Sequence, residues 1–132
     1  VTKARSMKAR HEASFKQALR SGIPIAMGTD AGTPFNYHGE NAQELTRMVA
    51  LGMGPMEAIL SATASAAELL GIHQLVGTLE PGKIADMVLV DGNPLKRIEL
   101  LQDQGRLVGV MQAGRFVGGP LAGSQKAEGK RQ

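Results

Sequence analysis

Residues 23–27, Ile-Pro-Ile-Ala-Met, are an unbroken apolar run that ends abruptly in Gly-Thr-Asp-Ala-Gly-Thr-Pro at 28–34. A continuous apolar run this short suits a strand buried on both faces, as in a parallel sheet. The stretch before it, residues 4–20, places Ala4, Met7, His11, Phe15, Ala18 and Leu19 at helical spacing, with Ser21-Gly22 as the stop. Helix followed closely by buried strand is half of a repeating α/β unit. In such architectures functional groups collect at the carboxyl ends of strands. Asp30 stands three residues beyond the run, between Gly28 and Gly32.

On position and glycine context alone, two readings of Asp30 stay open. A carboxylate there can ligate a divalent cation and manage a proton during hydrolysis. It can equally cap a turn or a following helix. His38 lies in the same loop and could contact a substrate; a lone loop histidine is more often simply solvated. Thr29 and Thr33 suit backbone bonding in turns. Asp86, between a glycine turn and a strand, reads as turn structure. His11 and His73 fall on helix surfaces or ends and carry no chemistry.

Downstream, residues 40–51 read as a second helix with Leu45, Met48 and Val49 inward. Gly54-Pro55 starts a third, with Met56, Ile59, Leu60 and Ala62 as its apolar positions. Ser65-Ala-Ala-Glu68 has the pattern of a capping box and opens a short fourth helix that stops at Gly71. Beyond residue 75 the pattern changes to turns and short strands: 87–90, then 107–112 and 115–117 around a two-residue Ala113-Gly114 loop. The expected organisation is an α/β part over 1–75, β strands over 76–118 and a disordered tail over 119–132.

Composition narrows the function classes. The 132 residues suffice for one domain with a core, and their 42% hydrophobic content is that of a globular protein. The net charge of +3 is unevenly spread: +5 over residues 1–20, −4 over 21–125 and +2 over 126–132. The basic character belongs to the ends, and Phe15, Phe35, Tyr37 and Phe116 are scattered, so nucleic-acid binding is not expected. No apolar stretch reaches the ~18–20 residues of a membrane span. With no cysteine, disulfides and thiolate metal sites are ruled out. The seven methionines read as core filler.

Several stretches taken in order resemble the metal-dependent amidohydrolase superfamily, nearest its imidazolonepropionase-like and Xaa-Pro dipeptidase (prolidase-type) branch. They are GTDAGTP at 28–34, HGEN at 38–41, ELTRMVALGMGPMEAILSATASAAELLGI at 44–72, VGTLEPGKIADMVLVDGNPL at 76–95 and VMQAGRFV at 110–117. The resemblance implies that 1–75 form the last strand and closing helices of a (β/α)8 barrel. Residues 76–118 would then be carboxyl-terminal strands of a small β-sandwich. It implies that Asp30 is the aspartate at the end of barrel strand eight, serving both as metal ligand and as proton-handling catalytic residue. His38 would border the substrate pocket.

The implied cofactor is one or two divalent metal ions, with zinc expected. The His-x-His pair and further histidines that hold them in the family do not occur in these 132 residues. The implied activity is hydrolysis of an amide or peptide-like C–N bond in a dipeptide or cyclic amide. This chain, expected to be a carboxyl-terminal portion and inactive alone, would act within a cytoplasmic, homo-oligomeric full-length protein. The alternative is a stand-alone, non-catalytic module derived from that fold.

Overall fold

The computed structural model describes residues 2–34 and 36–123, with the side chains of 2–5 excepted. Phe35 and the expected tail from 124 onward lie outside the described residues; 120–123 form a helical turn. Four helices come first: α1 (Thr2–Arg20), α2 (Gln43–Ala50), α3 (Pro55–Ala62) and α4 (Ala64–Leu69). Three strands follow, β1 (Met87–Val90), β2 (Leu107–Gln112) and β3 (Arg115–Gly118), with 3₁₀ turns at Ile98–Leu101 and Gln104–Arg106 between the first two.

α2 and α3 carry the buried face; α1 packs only Phe15 and Leu19 on it, Met7 of its expected stripe being 64% exposed, and α4 buries Ala67 alone. Leu45 and Met48 of α2 and Ala58 of α3 join Met53 and Ile98 in a buried cluster, against which Phe15, Leu19, Ile25, Met27 and Leu101 pack. This core crosses the change of pattern near residue 75, because the 3₁₀ turn at Ile98–Leu101 closes it from the β side. Gln102 Nε2 reinforces that closure by donating to Thr46 Oγ1.

The face of α3 differs from the sequence expectation. Met56 and Leu60 are half-exposed, at 50% and 42%, while Ala58 and Ser61 are buried. Small residues on the inward side let α2 approach closely, and Ser61 Oγ spends its hydrogen bond on the Ala58 carbonyl at 2.7 Å. The capping reading is corrected too. Ser65 sits inside α4, whose N-cap Thr63 makes no side-chain cap bond. The return bond of a capping box is found instead on α3, where Glu57 Oε2 accepts from the Gly54 N–H at 2.9 Å.

The expected strand over 23–27 is not a strand here. The segment runs without helix or ladder, and the Met27 N–H donates to the Ser61 carbonyl of α3 at 2.8 Å. A strand exists only by pairing, and among the described residues the sheet consists of β1, β2 and β3 alone. Ile25 and Met27 of the segment still pack on the helical core, while Ile23 stays 57% exposed.

Strand order in the antiparallel sheet is β1-β2-β3. Leu89 faces Gly109, and a methyl group at Gly109 would lie 2.7 Å from Phe116 Cε1. The missing side chain on β2 is therefore the space that the Phe116 ring of β3 fills. Ala113 and Gly114 close the β2–β3 hairpin with φ 47° and 79°, the left-handed pair that matches strand twist.

Candidate functional site

The loop from Gly28 to Asn41 bridges the apolar segment and α2. The Met27–Ser61 bond fixes its start on α3. Within it, the Asn36 side-chain amide donates to the Thr29 carbonyl, and the Gly32 N–H donates to the Asn36 carbonyl at 2.8 Å. The Asn36 N–H in turn donates to the Thr33 carbonyl at 3.0 Å. Thr33 Oγ1 donates to the Asp30 carbonyl at 3.3 Å, and Thr29 Oγ1 to Asn41 Oδ1 at 3.4 Å. Both hydroxyls thus brace the loop.

Asp30 occupies the left-handed region at φ 51°. That conformation is uncommon for a residue with a side chain, and its cost is supplied by the bracing around it. No hydrogen bond to the exposed Asp30 carboxylate occurs among the described residues. The acid is therefore held by its backbone and leaves its oxygens available, unlike a turn-capping aspartate, whose oxygens are spent on nearby N–H groups.

The fold also folds His38 back over the same loop. A methyl group at Gly32 would sit 3.1 Å from His38 Nε2. The glycine two residues after Asp30 is favoured by its backbone angle, φ 103°, and the exposed imidazole lies close above it. Sequence reasoning had placed Asp30 and His38 in one loop but missed Asn36 and Asn41. The signal was available: asparagines on either side of His38 in a Gly/Asp-rich loop, a residue type that bonds backbone and neighbours in turns.

A zinc-type centre takes three or four donors. Among the described residues no group of three or more His, Asp or Glu comes together. The donors present do not by themselves fit a metal ion; Asp30 offers one carboxylate.

Residues 1–117 match the model of the amidohydrolase family. The chain belongs to that family. This amidohydrolase chain is 33% identical over 123 residues to ochratoxinase of Aspergillus niger, covering 92% of itself and 25% of that relative. It is 37% identical over 82 residues to imidazolonepropionase of Geobacillus kaustophilus, covering 58% of itself and 18% of the relative. A crystal structure of a Xaa-Pro dipeptidase with methionine bound in its active site superposes with a TM-score of 0.75 at 40% identity, over 82% of this chain and 25% of that one. The amidohydrolase chain therefore spans about a quarter of the first of these relatives and of the dipeptidase. The imidazolonepropionase-like and prolidase-like affinity expected from its sequence holds, as does the barrel-type fold class of its structural neighbours.

Proposed function

We propose that this chain is the carboxyl-terminal part of a hydrolase that cleaves an amide or peptide-like C–N bond, with Asp30 as the proton-handling carboxylate. The observation that carries this is the Asp30 conformation: left-handed, braced by Asn36 and Thr33 through the backbone, with its own oxygens unspent. Relatives named Xaa-Pro dipeptidase, ochratoxinase and imidazolonepropionase support the reaction class.

In this reading an Asp30 oxygen takes a proton from the attacking water as its oxygen bonds to the carbonyl carbon. The same carboxyl group gives that proton to the nitrogen as the C–N bond breaks. His38, over Gly32, borders the substrate beside that acid. The family is generally metal-dependent; one or two divalent ions, zinc by expectation, would draw their remaining donors from outside this chain, with Asp30 as one ligand. Alone the chain is inactive.

Exposed Leu69, Leu70, Leu75 and Leu79, the first at 76% and the last at 74%, support a chain that works packed against more protein. The reading carries with it a small-molecule or dipeptide substrate, no nucleic-acid partner, a homo-oligomeric full-length protein and a cytoplasmic setting. Among the described residues no helix is long and apolar enough to cross a membrane. The test is Asp30→Asn in the full-length protein. Turnover is expected to fall by a factor of about 10²–10⁴ with the fold retained; near-normal turnover overturns the assignment.

A further inference from the structure

Away from the Asp30 loop, an open surface hollow of about 260 Å³ lies between the end of β1 and the 3₁₀ turns, lined by exposed Asp91, Gly92, Asn93, Lys96, Arg97 and Arg106 and by buried Leu100. Its charge is out of keeping with its surroundings. Residues 21–125 carry a net −4 with only six basic side chains. Three of those six line this one hollow, against the single carboxylate of Asp91.

The backbone that carries two of the cations, exposed Lys96 and Arg97, is fixed by Asn93. Asn93 Oδ1 accepts from the Leu95 N–H at 2.9 Å, and the Asn93 carbonyl accepts from the Lys96 and Arg97 N–H groups at 3.1 Å each. The turn that carries the two cations is therefore fixed before any ligand arrives. Arg106 is pinned through one nitrogen, Nη1, 2.7 Å from Asp91 Oδ2, while the Asp91 N–H donates to the Arg106 carbonyl at 2.8 Å. A guanidinium has five N–H donors, so most of them remain to serve a ligand. Lys96 and Arg97 enter no ion pair among the described residues. Asp103 and Glu99 are not part of the lining, whose single carboxylate is Asp91.

We propose that this hollow is a binding site for a small organic carboxylate with an apolar body. The three cations would receive the oxyanion through charge-assisted hydrogen bonds, and the methylene stems of Lys96 and Arg97, with the edge of Leu100, 7% exposed, would supply the apolar surface at the lining. The volume is below the ~300–1,000 Å³ typical of sites for drug-sized ligands, which limits the guest to a few heavy atoms beyond the carboxylate. The site shares no residue with the Asp30 loop, so it stands or falls independently of the proposed hydrolysis.

The test titrates the full-length protein with sodium hexanoate at constant ionic strength, beside hexanol and inorganic phosphate as probes. Saturable hexanoate binding is expected, together with a thermal shift, both weakening as salt rises. A Lys96→Gln/Arg97→Gln double variant leaves the Asp91–Arg106 pair intact and changes two exposed side chains. It should melt as the parent does yet bind hexanoate at least about tenfold more weakly. An Asp30→Asn variant should bind hexanoate as the parent does, which separates this site from product binding at the Asp30 loop. Equal hexanoate affinity in parent and double variant overturns the proposal, as does hexanol binding as well as hexanoate. Phosphate binding more tightly than hexanoate at this site overturns the choice of a carboxylate with an apolar body.

Discussion

Asp86 Oδ1 accepts a hydrogen bond from the backbone N–H of Ala113 at 2.7 Å, across 27 residues of sequence. One residue further on, the Gly114 N–H donates to the Ala85 carbonyl at 3.0 Å. The two bonds tie the tip of the β2–β3 hairpin to the chain entering β1, so the three strands are joined at that end by more than their ladders. Asp86→Ala should lower stability by about 1 kcal/mol, the carboxylate being solvent-exposed and its bond correspondingly discounted. Asp86→Asn, whose Oδ1 can still accept, should lose less than half as much. Equilibrium denaturation of the full-length protein measures both, and an Asn variant as damaged as the Ala variant would refute the bond as the cause.

Ala113 itself carries strain, since it sits at φ 47° in a turn that asks for a residue tolerant of the left-handed region. Replacing it by Asn should stabilise the protein by about 0.5–1 kcal/mol, because Asn adopts this conformation more readily and the N–H to Asp86 is kept. Ala113→Val should do the opposite, β-branching being poorly tolerated at positive φ. Thermal melts that rank Asn above Ala above Val would bear this out; the reverse order would not.

The turn before β1 predicts an acid-sensitive element. Glu80 is held below the ordinary glutamate value of 4.5 by the Thr78 hydroxyl bond, first, and then by the bond and charge of Lys83. Thr78 Oγ1 donates to Glu80 Oε1 at 2.5 Å, and Lys83 Nζ lies 3.4 Å from the same oxygen. A carboxyl whose folded value is lowered binds fewer protons folded than unfolded between the two values. Its stabilising contribution is therefore complete above the ordinary value and is lost as pH falls below it through the folded value. Glu80→Gln should flatten that part of the stability–pH curve and leave the neutral region nearly unchanged. A variant with the parent's acid limb would remove Glu80 as its source.

Asn36 positions Asp30 in the proposed reaction. Its amide donates to the Thr29 carbonyl, next to Asp30, and neither Ala nor Asp can replace that donor. In the full-length enzyme, Asn36→Ala and Asn36→Asp should each lower kcat by about ten- to a hundredfold with KM changed less than about twofold. Lost folding would show as lost soluble protein, and an effect confined to KM would argue for substrate contact instead of positioning.

Much of this chain is legible without its fold. Apolar spacing places α1 to α4 and β1 to β3 to within a few residues, because those patterns reflect local periodicities that any core must respect. Glycine and proline mark their ends for equally local reasons, and the order of motifs carries the family. Tertiary structure alone decided which face of α3 turns inward, since Ala58 and Ser61 win burial over the larger Met56 and Leu60 only because α2 comes so close. It decided that residues 23–27 form no strand, because a strand is a property of its neighbours and not of its own sequence. It alone placed His38 over Gly32, tied Asn36 to Thr29 and gathered Lys96, Arg97 and Arg106 round one hollow. Those are contacts between side chains and backbone whose distances depend on how the turns close, and no spacing along the chain encodes them.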